Sequence, residues 1–170
     1  VGLNIVQACT LVSANPIVGV DLNIFKLKLG KKFGLTHSIK YSKSNFINEI
    51  YKIFKDNKPD VVIDTTGKSE IIEIAYLLTS PNGKTILVGV PNNKVNIYSL
   101  PLHFNQVLTG SHGGSSNPDV EIPRYIKLFN EKKINMKKLI THEFKLKEIN
   151  KAIKLFRKGN VGRIIINMSN

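Results

Sequence analysis

Short apolar runs rich in β-branched residues alternate with segments of helical period, and this alternation limits the fold more than any other feature of the chain. Ile17-Val18-Gly19-Val20 ends at Asp21, Val61-Val62-Ile63 leads into Asp64-Thr65-Thr66-Gly67, and Thr85-Ile86-Leu87-Val88-Gly89-Val90 follows the turn Pro81-Asn82-Gly83. Strands that read as unbroken apolar runs, spaced by helices, belong to a parallel sheet covered on both faces. The pattern therefore predicts an α/β, doubly wound parallel sheet. Between the strands, a helix covers about residues 2–13. Asn23 is placed to cap a second helix whose Phe25, Leu29 and Phe33 recur at i, i+4 and i+8 before Gly34 stops it. Ser44 introduces a helix with Phe46, Ile50, Ile53 and Phe54 on one face, and another helix runs over about residues 69–79.

Beyond Pro91 the pattern changes. Val95, Ile97 and Leu100 suggest an added strand, and Val107-Leu108-Thr109 leads into Gly110-Ser111-His112-Gly113-Gly114. Pro123 suits the first position of a helix with Ile126, Phe129 and Ile134 on its buried side. Residues 140–144 read as a strand. Leu146, Ile149, Ile153 and Phe156 form an apolar helical stripe ending near Gly159, and residues 162–167 close as a strand.

Composition excludes several chemistries. The 170 residues are 42% hydrophobic and 22% charged, which is globular. Cys9 is the single cysteine, so an intrachain disulfide and a thiolate-clustered zinc site are both ruled out. The four histidines, His37, His103, His112 and His142, show no metal-ligand spacing, and no metal site is expected in this chain. No G-x-S-x-G elbow or P-loop is present. Asp64, at the end of an apolar strand, reads as a cap for the next loop rather than a base. The net charge of +13 raises the question of an anionic partner. Only Arg124, Arg157 and Arg163 are arginines, whereas base and phosphate recognition favours the guanidinium fork, and the lysines are spread from Lys26 to Lys158. A lysine-biased composition accounts for the charge, and no nucleic-acid or membrane partner is expected. The opening VGLNIVQACT has no charged n-region of a secretory signal, so the cytoplasm is the expected location.

The start of the chain carries the chemical signal. A helix opening at Gly2, a strand after it and an acid at Asp21, 19 positions on, match the second half of the dinucleotide fingerprint. In G-x-G-x-x-G the last glycine lets helix and strand pack closely, and the acid accepts from ribose hydroxyls. A glycine at a helix start and an aspartate at a strand end also coincide by chance, so the half-motif alone does not decide.

The ordered set GLNIVQACTLVSANPIVGVDLN, KKFGLTH, DVVIDTTG, GKTILVGVP, GSHGG, IPRYIKLF, LITHEF and LKEINKAIKLFRKGNVGRIII spans the whole chain. It resembles the C-terminal part of the zinc-containing alcohol dehydrogenases of the medium-chain dehydrogenase family. The resemblance implies a Rossmann-type sheet lacking its first strand, which would precede Val1, plus the C-terminal segment of a GroES-like catalytic domain. Residues 1–110 are then expected to be the NAD-binding domain and 111–170 the segment returning to the catalytic domain. The implied activity is hydride transfer between an alcohol or aldehyde and NAD, by a homodimer or larger homo-oligomer. Zinc is implied in the full-length parent only. Its ligands fall upstream, so no residue of this chain is expected to be catalytic and the piece alone is expected to be inactive.

Motif by motif, the resemblance implies that Val1 and Gly2 end the pyrophosphate turn. Asp21 matches the ribose acid and Lys26 a basic residue near the adenosine. Thr65 and Thr66 approach the adenine side of the cofactor. Val88, Gly89 and Val90 meet the nicotinamide carboxamide, His112 lies in the loop beside the nicotinamide, and Arg163 reaches a cofactor phosphate. An anionic Asp21 would repel a 2′-phosphate, which predicts NAD over NADP. Two bland alternatives stand beside these roles: Arg163 in a surface ion pair, and His112 hydrogen-bonded within a tight loop. Two other readings of the whole remain: a non-catalytic binding or regulatory protein that keeps the NAD-type fold, and a basic nucleic-acid-binding protein with the resemblance as ancestry.

Overall fold

The computed structural model describes residues 1–55 and 57–169. It contains six α-helices and seven strands among the described residues: α1 Gly2–Leu11, β1 Val18–Asp21, α2 Ile24–Lys31, β2 His37–Lys40, α3 Phe46–Phe54, β3 Val61–Asp64, α4 Ser69–Leu78, β4 Lys84–Leu87, β5 Val107–Gly110, α5 Pro118–Asn130, β6 Ile140–Lys145, α6 Ile149–Arg157 and β7 Arg163–Asn167. All strand pairs are parallel: β1 with β2, β3 with β4 and β4 with β5, and β6 with β7. Parallel pairs need crossovers, and α2, α4 and the intervening turns supply them. This is the expected Rossmann-type α/β architecture. β1 and β2 form one sheet, β3, β4 and β5 a second in the order β3-β4-β5, and β6 and β7 a third.

The chain forms two compact units, one from residues 1–50 with 119–170 and the other from 51–118. In the first, Ile17, Leu27 and Leu35 make a buried cluster against which Val6 and Cys9 pack. Asn23 caps α2 as its position predicts, its side-chain oxygen accepting from Phe25 N at 2.8 Å. Gly34, at φ +107°, ends the helix, with Leu35 N donating back to the Gly30 carbonyl in a Schellman-type closure. The buried side of α2 is Leu27, Leu29 and Gly30, while Phe25 is half-buried. Helix α3 starts at Phe46, two residues beyond Ser44.

The second unit is built on α4 against β3 and β4. Ile72 and Thr85 are fully buried, and the Thr79 and Thr85 hydroxyls bond each other at 2.7 Å beside the Ala75 carbonyl. Val95 to Leu100 is not a strand. Asn96 N donates to the Glu73 carboxylate and Tyr76 Oη to the Tyr98 carbonyl, so side chains of α4 take backbone groups that a ladder would need. Residues Leu100–Phe104 then turn as a 3-10 helix with Pro101 at its start.

Pro123 is inside α5 rather than at its start. Pro118 takes the first position, where a missing amide costs nothing, and Asp119 and Glu121 put negative charge in the first turn. The expected buried side of α5 is also wrong in part: Ile126 is exposed, and Phe129 and Ile134 are half-buried. Helix α6 buries Ala152, and its Ile153 and Phe156 are exposed.

Candidate cofactor site

In the first unit, the N-terminus of α1 is open. Asn4 N and Ile5 N donate to the Val1 carbonyl, which leaves the Gly2 and Leu3 amides outside the helical ladder. No side chain caps this end, its first turn carries no acid, and nothing lies within 4 Å of a Cβ built on Gly2. Arg163 and Lys26 both lie close enough to the opening of α1 for their charges to act there. Both side chains are exposed, and neither makes an ion pair among the described residues. The bland alternative for Arg163, a surface ion pair, has no partner among the described residues.

Asp21 closes β1 at the carboxyl end of the strand. Its Oδ1 accepts from Asn23 N at 2.7 Å, and the side chain is half-buried. This bond fixes one oxygen, and the second accepts no hydrogen bond among the described residues.

In the second unit, the loops after β3, β4 and β5 lie together at the carboxyl ends of the strands, the end where open α/β sheets bind ligands. Asp64 is buried and caps its loop as the sequence predicts. It accepts from Thr66 N at 3.0 Å, Thr66 Oγ1 at 2.7 Å and Gly67 N at 2.9 Å. Its carbonyl accepts from Val88 N and Gly89 N. The loops 64–67 and 88–90 touch backbone to backbone: a Cβ on Gly89 would strike Gly67 N, and one on Gly67, at φ +67°, would strike Val90 O. Thr65, Thr66, Val88, Gly89 and Val90 are thus brought together, with Thr65, Thr66 and Val90 exposed. Ser111 N donates to the Leu87 carbonyl, which sets His112 beside the end of β4. The His112 ring is exposed and makes no hydrogen bond among the described residues, while its carbonyl accepts from Ser115 N.

The sequence reading missed Gly67, Asn23 as more than a cap, and Thr141. Gly67 follows Asp-Thr-Thr at a strand end, a recognisable turn signal. No sequence signal pairs Asn23 with residues 159 and 160, or Thr141 with 162 and 163. Among the described residues there is no group of three or more His, Cys, Asp or Glu able to hold a metal ion, and no helix long and apolar enough to cross a membrane.

Residues 1–131 match the family model for zinc-binding dehydrogenases. The chain belongs to that family. It is 33% identical over 171 residues to alcohol dehydrogenase-like 2 of Arabidopsis thaliana, covering 98% of this chain and 44% of the relative. It is 32% identical over 175 residues to alcohol dehydrogenase 2 of Solanum lycopersicum, covering 99% and 46%. Benzyl alcohol dehydrogenase from Acinetobacter calcoaceticus superposes with a TM-score of 0.88 at 26% identity, over 99% of this chain and 47% of that one. The chain spans a little under half the length of these relatives.

Proposed function

We propose that this zinc-binding dehydrogenase chain is the cofactor-binding portion of an enzyme that transfers hydride between an alcohol or aldehyde and NAD, and that it is inactive alone. One observation carries the reading: the uncapped first turn of α1 lies within reach of the charges of Arg163 and Lys26, neither neutralised by a described carboxylate. Free helix-start amides beside two cations suit a pyrophosphate. Val1 and Gly2 would supply the backbone of that turn. Asp21, with one oxygen fixed by Asn23 N, would accept from the ribose hydroxyls, and Lys26 would hold the adenosine side. Thr65 and Thr66 would border the adenine side, the backbone of Val88, Gly89 and Val90 would receive the carboxamide, and His112 would border the nicotinamide.

When bound, NAD supplies the hydride acceptor, and zinc supplies the charge that favours the alkoxide. The residues described here offer no ligand set for zinc, so this reading gives the zinc ligands to the remainder of the protein and names no catalytic residue in this chain. It also assigns 1–110 to the NAD-binding domain and 111–170 to the segment returning to the catalytic domain. The cytoplasm and a homo-oligomer complete the reading. The latter rests on the resemblance alone.

The test is cofactor choice in the full-length protein. NADH is expected to bind more tightly than NADPH, and Asp21→Gly to narrow the gap by about tenfold or more, since removing a carboxylate removes repulsion of the 2′-phosphate. A hundredfold preference for NADPH would overturn the assignment of Asp21.

A further inference from the structure

The turn from Gly159 to Gly162 is anchored on both sides while the residue it delivers is left free. From α2, Asn23 Nδ2 donates to the Gly159 carbonyl at 3.1 Å and to Asn160 Oδ1 at 2.9 Å. Val161 is buried. A Cβ on Gly162 would strike the Leu139 carbonyl and lie 3.0 Å from Thr141 Cγ2, so the backbone passes there too closely for any side chain. From β6, Thr141 Oγ1 accepts from Gly162 N at 2.9 Å and lies 3.4 Å from the Arg163 carbonyl. Arg163 follows at once, with an exposed side chain and no ion pair among the described residues.

The pairing of β6 with β7 explains how Thr141 comes to face this turn. Ile140 is opposite Arg163 and His142 is opposite Ile164, so Thr141 is an extra residue bulged out of register. A bulge breaks the alternation of side chains and re-aims one of them, and bulges are frequent beside functional sites. Here the re-aimed group is a hydroxyl bonded to Gly162, the last residue before β7, and to Arg163, the first residue of it.

We propose that Thr141 is a positioning residue for Arg163, its bulged hydroxyl holding the start of β7 so that the guanidinium is presented to the cofactor phosphate without further ordering. Asn23 holds the other end of the same turn. An unpaired arginine on a mobile turn would lose backbone and side-chain freedom on binding, and a pinned turn has already lost part of it. The proposal rests on the reading of Arg163 as the phosphate ligand.

The experiment is NADH titration by nicotinamide fluorescence on the full-length protein, in a double-mutant cycle with Arg163→Ala. Arg163→Ala alone is expected to raise the Kd about 10- to 100-fold, as for loss of a charge-assisted bidentate contact. Thr141→Val, which keeps the shape and removes the hydroxyl, is expected to raise it about fivefold, and Thr141→Ser to restore it. In the Arg163→Ala background Thr141→Val should then have little effect. An equal effect in both backgrounds would show a merely structural role and overturn the proposal, as would an unchanged Kd for Thr141→Val alone. If Arg163→Ala itself leaves the Kd unchanged, the phosphate reading has failed instead. Should Thr141→Val fail to fold, Asn23→Ser, which keeps a cap for α2 but removes both amide donors to the turn, gives the same cycle with the same decisions.

Discussion

The first 110 residues and the last 60 carry similar apolar patterning, yet they bury it very differently. Buried residues recur from Gln7 through Gln106, with Ile72 and Thr85 wholly enclosed, whereas after residue 110 only Ala152 and Val161 are buried among the described residues. The stripe on α6 is plain in the sequence, but Leu146, Ile153 and Phe156 remain exposed, as do Val120, Ile122, Tyr125 and Ile126 on α5. Periodicity identifies an apolar face and says nothing about what covers it. In the proposed function that cover would come from the rest of the protein.

The contrast can be broken by substitution. Ile72→Ala should cost about 2–5 kcal/mol, since it empties an enclosed site, and could unfold the chain outright; the urea midpoint of the purified chain is the measurement. Phe156→Ser, on the exposed stripe, should change the stability obtained from that midpoint by no more than about 0.5 kcal/mol in the 170-residue chain. A loss at Phe156 as large as at Ile72 would mean that the last 60 residues have a core of their own. A finer probe is Cys9, which packs on the Ile17, Leu27 and Leu35 cluster and whose thiol pKa is pushed up by burial. Less thiolate forms at a given pH, so alkylation near neutral pH should be slower in the native chain than in urea. Equal rates in both would show that the cluster is loosely formed.

What was legible in the sequence is what local chemistry decides. Asn23 as a helix cap, Gly34 as a stop and Asp64 as a loop cap each follow from a side chain acting on its own near neighbours, and the structure has all three. The parallel strands were legible because a strand buried on both faces is apolar without alternation. The errors fall where a distant partner decides. Val95 to Leu100 has strand-like residues but meets the Glu73 and Tyr76 side chains instead of a neighbouring strand. Pro123 suits a helix start, but Pro118, five residues earlier, already takes that position. The site shows the same division. Asp21, Lys26 and Arg163 enter the proposed site from motif order. The backbone contact of Gly67 with Gly89, the tie from Asn23 to Gly159 and the bulge at Thr141 depend on register and tertiary approach, which leave no trace in spacing.

The most direct test of the account is competition between ADP-ribose and NADH on the full-length protein, measured with the native chain and with Arg163→Ala. If the opening of α1 and Arg163 hold the pyrophosphate and Lys26 the adenosine side, ADP-ribose displaces NADH and the substitution weakens both ligands by the same factor, about 10- to 100-fold. Displacement that is unaffected by Arg163→Ala, or no competition at all, would contradict it.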